Sequence, residues 1–282
     1  MKTLGILGPR GTHSEAAANY LNKKIGEKFQ LVICVDIFEI FQKVESGELD
    51  SGFVPVENSL EGSINITLDT LAQSKTLKIN LEMVWKVHNH LMAKANTKLS
   101  DVTKIFSHAQ PVSQCRKYLR KNFPTAEYIA TPSTARAAEI VAKSAEKNFA
   151  AICSERAGEL NNLKILAEEI QDNPFNSTRF FEICKSEENF AEDFSGEKIS
   201  LVCMVDGSKA GSLYSVLEEF ALRKINMTHI ESRPARLEIG EYIFFFDLEI
   251  EDKKILQEAI KAVREKTIWL KNLGTYKVVK FF

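Results

Sequence analysis

The run from Asp172 to Phe181, DNPFNSTRFF, gathers amide and hydroxyl side chains beside Arg179 at the mouth of an apolar stretch. Asn and Pro are enough to turn a chain. The added Ser177 and Thr178 suit something more, a ligand that is anionic and rich in oxygen. A hydroxyl in that setting can donate to a leaving oxygen while a neighbouring guanidinium grips a carboxylate as a two-pronged fork. A plain turn carrying a surface Arg is the competing reading. Three other polar loops could share such work. VPVENSLEG places Glu57, Asn58 and Ser59 just past an apolar strand, where they either hold a hydroxyl or cap the next helix. SHAQPVSQC offers Ser107, His108, Gln110 and Gln114 around a helix start. GPRGTHSE brings Thr12 and Ser14 to another helix start, whose free N–H groups either attract an anion or are simply capped.

Other chemistries fit poorly. The glycines Gly5, Gly8 and Gly11 miss the G-x-G-x-x-G order, Pro9 occupies the turn, and no Lys precedes Ser14, so neither a dinucleotide loop nor a P-loop is present. His88 and His90 alternate in HNH, but no third ligand has a suitable spacing, which argues against a metal. Ser107 lies in no G-x-S-x-G elbow and has no visible base with an orienting acid, so hydrolysis by a serine nucleophile is unsupported. A formal net charge of -1, from 37 basic and 38 acidic residues, gives no general affinity for polyanions such as nucleic acid. The basic run RKYLRKN is read as the wet face of a helix. Five scattered cysteines, no signal-peptide core and no bilayer-length apolar run point to a cytoplasmic protein with no membrane partner.

The elements that must position these loops follow from periodicity. Strands at Leu4–Leu7, Leu31–Val35 and Phe53–Val56 alternate with helical stretches, and Leu81–Lys94 reads as one longer strand. The alternation predicts an α/β protein with a mainly parallel sheet and its polar loops at the carboxyl ends of strands. After Phe181 comes CKSEENFAEDFSGEK, acidic and Gly/Ser-containing, which reads as a linker. About eighty residues then follow the order β-α-β-β-α-β, the ferredoxin-like split unit.

GPRGTHSEAA, VPVENSLEGSI, FSHAQPVSQC, STARAA and NSTRF, taken in this order, resemble the prephenate dehydratase family. AGSL and HIESRPAR resemble the phenylalanine-sensing signatures of the ACT module attached to that enzyme. NSTRF followed downstream by ESRP is a specific pair, and the match runs from about Leu4 to about Tyr276. It starts directly on the dehydratase strand, so no fused chorismate mutase bundle is expected ahead of it. The family often has Phe where His13 stands, and a His where Asn89 stands between His88 and His90.

The resemblance implies decarboxylative dehydration of prephenate to phenylpyruvate, without a cofactor or metal. It implies a bilobed catalytic domain, like a periplasmic binding protein, over residues 1–184, with lobe one at about 1–79 plus 165–184 and lobe two at about 80–164. A linker at 185–197 and an ACT regulatory domain at 198–282 complete the expected division. Thr178 would stabilise the leaving hydroxyl, with Glu57 as a possible relay, and Thr12, Asn58, Ser107, Gln114, Ser177 and Arg179 would bind substrate. L-phenylalanine would bind near Gly211, Ser212, Leu213, Glu231, Ser232, Arg233 and Pro234, at an interface between paired ACT modules of a dimer or tetramer. Arogenate dehydratase and a non-catalytic amino-acid sensor are the alternatives.

Overall fold

The computed structural model describes residues 1–26, 29–186, 195–236 and 240–280. The first α/β unit runs β1 (Thr3–Leu7), α1 (His13–Ile25), β2 (Gln30–Cys34), α2 (Ile37–Ser46), β3 (Ser51–Asn58), β4 (Gly62–Ser63), α3 (Asn65–Gln73) and β5 (Leu77–Lys86). The chain then enters a second unit of β6 (His90–Ala93), β7 (Lys104–Ser107), α4 (Ala109–Gln114), α5 (Arg116–Asn122), β8 (Glu127–Ala130), α6 (Thr134–Lys143), β9 (Phe149–Cys153), α7 (Glu155–Leu160) and β10 (Lys164–Ala167). It returns to the first unit as β11 (Ser177–Lys185). In the first unit the strand order is β5-β11-β3-β1-β2, and in the second it is β10-β6-β9-β7-β8.

Two sequence expectations need correction here. The run Leu81–Lys94 is not one strand: it divides between β5, paired with β11, and β6, paired with β9. The crossing therefore lies at residues 87–89, not near Asn80, and the return follows Ala167 instead of coming near Ile165. Backbone pairing decides this, because β5 is bonded along its length to β11 of the first sheet. Nor are the sheets mainly parallel. β1 pairs in parallel with β2 and β3, but β11 arrives from the far unit and runs antiparallel between β3 and β5.

Alternation along the strands divides the first unit's core between two faces. Phe53, Met83 and Phe180 pack with Ala17, Ala18 and Leu21 of α1 on one face. Val54, Val56, Phe181 and Ile183 pack against α2 and α3 on the other. The six leading residues of β3 are all buried, as expected of a strand covered on both sides.

The C-terminal unit comprises β12 (Lys198–Met204), α8 (Ser212–Leu222), β13 (Met227–Pro234), β14 (Tyr242–Glu249), α9 (Lys253–Glu265) and β15 (Trp269–Lys280). The linker expected at 185–197 falls largely on 187–194, outside the described residues. Leu201, Cys203, Phe246 and Leu248 face α8 and α9, whereas Val202, Met204, Ile243 and Phe245 belong to the same core as Val54 and Phe181. The sheet is thus covered by its own helices on one side and by the first unit on the other. Lys271 reinforces that junction, donating to Leu71 O at 2.7 Å and to Ser74 O at the carboxyl end of α3.

β15 pairs with β12 through Tyr276 and then in parallel with β5 over Lys277–Lys280, so one sheet runs through both units. At the transition Gly274 has φ 117°, and a Cβ there would lie 2.6 Å from Ile79 O. Only glycine fits. Among the described residues no helix is long and apolar enough to cross a membrane.

Candidate active site at the crossing between the sheets

Thr178 lies directly opposite Asn58 on β3 and Trp85 on β5. Directly opposed residues share a face, so all three side chains look the same way. Asn58 Nδ2 donates to Thr178 Oγ1 at 3.0 Å and to Asn176 Oδ1 at 2.9 Å. Its Oδ1 accepts from the backbone N–H of Leu60 at 3.0 Å and of Glu61 at 3.2 Å, which fixes which way the amide points. Asn176, 1% exposed, passes the chain of bonds to Gln114 Oε1 at 3.1 Å, and Asn89, fully buried, donates to the same oxygen at 3.4 Å.

Two features of this network matter for chemistry. The Thr178 oxygen already accepts one bond, which polarises its hydroxyl and leaves the proton to donate outward. Gln114 Nε2 and Asn89 Oδ1, a donor and an acceptor, are buried without a protein hydrogen-bond partner. Leaving such groups unpaired costs about 1–3 kcal/mol each, so a polar ligand that met them would recover that cost.

Beside the network lies a pocket of about 460 Å³ between α1, the crossing segment and the start of α7. Trp85 joins the two, and His13, His88, His90, Ser154 and Arg156 line the wall. Burial, then the nearby His88 and His90, lower the His13 pKa to about 4, and burial also lowers that of His90. His13 Nε2 and Arg156 Nε are buried without hydrogen-bond partners. Among the described residues no group of three His, Cys, Asp or Glu is placed to hold a metal.

The structure brings together Thr178, Asn58 and Gln114 from the residues expected by sequence, and it moves the others. Arg179 is turned to the opposite face, with Asp247, Glu82 and Glu57 around its guanidinium, and cannot reach a ligand beside Thr178. Glu57, its partner across the strands, goes with it and is no relay to the Thr178 hydroxyl. Ser177 also alternates away from Thr178, and its N–H donates to Ser59 Oγ at 2.9 Å. Ser107 is fully buried and donates to Ile152 O at 2.8 Å, tying β7 to β9. Thr12 caps α1, accepting from Glu15 N at 3.4 Å, while the Glu15 carboxylate takes Gly11 N at 2.5 Å. With its own carboxylate there, this helix start has little attraction for a second anion.

Sequence reasoning missed two members of the network. Asn176 stands inside DNPFNSTRFF and could have been found by its distance of two residues from Thr178, which puts both on one strand face. Asn89 was open among HNH. The structure buries it in the network and gives His88 and His90 to the pocket wall.

In the C-terminal unit Gly211 caps α8 with φ 84°, Ser212 Oγ donates to Lys209 O at 2.9 Å, and Leu213 packs on the core. Ser232 and Pro234 are exposed on β13. Glu231 and Arg233 face the first unit instead. Glu231 accepts from Ser63 Oγ at 3.1 Å, and Arg233 grips Asp69 through two bonds of 3.0 and 3.1 Å. They are occupied within this chain, which corrects their expected place at an open effector site.

The prephenate dehydratase family model matches residues 4–188. Prephenate dehydratase of Methanocaldococcus jannaschii is 38% identical over 270 residues, 96% of each chain. Among solved structures, prephenate dehydratase of Arthrobacter aurescens in complex with L-Phe superimposes with a TM-score of 0.83 at 30% identity, covering 98% of this chain and 90% of that one. The Staphylococcus aureus prephenate dehydratase gives 0.85 at 28% identity, over 97% and 99%.

Proposed function

The chain belongs to the prephenate dehydratase family and is an enzyme of that class, and from this premise we propose that the Thr178 network carries out the chemistry. Prephenate holds two carboxylates and a ring hydroxyl. The bonding pair released as the ring carboxylate departs as carbon dioxide enters the ring and expels the hydroxyl, so the ring becomes aromatic without any redox change. The leaving oxygen gathers negative charge and needs a donor in place. Thr178, its oxygen already bonded by Asn58, supplies that donor. A threonine is too weak an acid to surrender its proton outright, so it stabilises the departing oxygen and water completes the transfer.

On the pocket wall Arg156, whose Nη atoms lie 3.6 Å from Glu15 and 3.4 Å from Glu159 and whose Nε is unpaired, meets a substrate carboxylate in place of Arg179, and the buried Gln114 and Asn89 amides at the end of the network orient the substrate. The observation that carries this reading is the bond from Asn58 to Thr178, which leaves the hydroxyl proton to donate, in a network that also holds the unpaired buried Gln114 Nε2 and Asn89 Oδ1. The test is direct: purified protein incubated with prephenate should release phenylpyruvate, and no product with or without L-phenylalanine would refute it.

Residues 1–184 form the catalytic domain on this reading, and 198–282 an ACT domain that binds L-phenylalanine at an interface between two copies and slows turnover. The L-Phe complex of the Arthrobacter aurescens relative supports that assignment, as does the β13-β14-β12-β15 strand order. None of the five cysteines forms a disulfide, in keeping with a reducing cytoplasm.

A further inference from the structure

Arg179 follows Thr178 directly, yet it belongs to the other face of β11 and to a different neighbourhood. Its Nη2 is bonded to Asp247 Oδ2 on β14, its Nε lies 3.4 Å from Glu82 on β5, and its Nη1 lies 3.5 Å from Glu57 on β3. The guanidinium stacks 4.7 Å above the Phe181 ring. Asp247 is held from its own side by Ser200 Oγ, which in turn meets Tyr276 Oη at 2.7 Å. His229 of β13 stands 3.6 Å from Asp247 and 3.8 Å from Glu57. Lys198 of β12 bonds Glu82 at 2.9 Å. Arg179, Glu82 and Asp247 are each 13% exposed or less, so water screens little of this charge.

A buried ion pair of this kind is weak evidence for stability, because desolvation offsets much of its attraction. It is strong evidence for a fixed geometry. A guanidinium has five donors in a rigid fork, and here Asp247 takes a hydrogen bond from it while Glu82 and Glu57, on two other strands, stand within 3.5 Å. One of the three, Asp247, belongs to the C-terminal unit. The backbone of β11 is anchored through this fork on one face and presents the Thr178 hydroxyl on the other.

We propose that Arg179 is a positioning residue: Asp247 of the C-terminal unit holds its guanidinium and thereby sets where the adjacent Thr178 hydroxyl stands in the cleft. This rests on Thr178 being the donor to the leaving oxygen. It gives the C-terminal unit a way to act on chemistry that involves no contact with substrate. A shift of β14 that draws Asp247 away releases the fork, and Thr178 moves with its neighbour. Misplacement by about 1 Å is enough to lower a rate by about 100-fold. The same strand pair also carries His229, Glu231 and Arg233 toward the first unit, so a ligand on the exposed side of β13 would have a short route to Arg179.

The test uses the full-length chain and three variants, each checked by circular dichroism, with prephenate turnover measured across L-phenylalanine concentrations. Asp247→Asn keeps the shape and removes the charge. It should lower kcat by about 10-fold or more while KM stays within about two-fold, since the lost interaction acts in the transition state and not in substrate binding. Its remaining activity should respond little to L-phenylalanine. Ser200→Ala, which loosens Asp247 without unpairing it, should shift kcat and inhibition the same way by less, and it decides the matter if Asp247→Asn does not fold. Wild-type kcat and full inhibition in the folded variants would overturn the proposal, as would a rise in KM alone. Thr178→Val separates the two assignments. If it stays active, the donor role is wrong whatever Asp247→Asn does. If it is inactive and Asp247→Asn behaves as wild type, only the positioning role falls.

Discussion

Asn58 and Thr178 sit opposite one another on adjacent antiparallel strands, and the amide of the first donates to the hydroxyl of the second at 3.0 Å. The Asn58 amide is locked by two backbone N–H groups, so the hydroxyl it bonds is held at a defined height above the sheet. Removing the Thr178 hydroxyl should then affect turnover and little else. Thr178→Val should lower kcat by about 100- to 1,000-fold with KM nearly unchanged, while Thr178→Ser should recover a large share of the rate. Comparable kcat values for the valine and serine variants would remove Thr178 from the chemistry.

Gln114 offers a different test, because its two ends do different jobs. Its Oε1 accepts from Asn176 and Asn89, and its Nε2 is the unpaired donor. Gln114→Glu keeps the acceptor and replaces the donor with a negative oxygen facing a dianionic substrate. We expect KM to rise by about 10-fold, roughly 1.4 kcal/mol, with the fold intact. An unchanged KM in steady-state kinetics would mean that Nε2 does not meet the substrate.

The lowered pKa of His13 makes stability depend on pH in a defined window. Its value is about 4 in the fold against 6.5 when exposed, so between these the unfolded chain binds the extra proton. Stability therefore rises with pH across that window and is lost as pH falls from 6.5 toward 4, by up to about 3 kcal/mol from this one residue. His13→Phe should flatten the slope. Urea unfolding at several pH values checks this, and parallel slopes for the two proteins would contradict it.

Arg233 and Arg236 both reach Asp69, yet they should matter unequally. Arg233 makes two bonds with its side chain 17% exposed, and Arg236 is 61% exposed. Arg233→Ala should cost about 2 kcal/mol because the Asp69 carboxylate is buried, and Arg236→Ala less than about 1 kcal/mol. Equal losses on chemical unfolding would show that the fork is not what fastens the C-terminal unit here.

The sequence made the polar loops legible because they flank apolar strands, and three of the residues it singled out, Thr178, Asn58 and Gln114, share one hydrogen-bond network. It misled at Arg179. A guanidinium one residue from a hydroxyl suggests a shared ligand, but strand alternation sends the two apart, and the carboxylate that claims Arg179 lies 68 residues away at Asp247. No local pattern carries that pairing. The same limit hid the break at residues 87–89, where VWKVHNHLMA reads as one strand with no Gly or Pro in it to mark a turn, and only the partner strands reveal two sheets. Ser107 and Thr12 failed for a simpler reason: a short hydroxyl side chain can satisfy a backbone group nearby as readily as a ligand.

The path of β15 bears on how such a protein can be cut. Its last four paired residues lie against β5, which would otherwise be the rim of the first sheet. A fragment ending at Lys185 would uncover the edge of β5 at Leu81, Glu82, Met83 and Val84, whose backbone groups invite another chain to dock. The C-terminal unit therefore doubles as a seal on the first sheet, and a chain cut ahead of it should aggregate more readily than the whole.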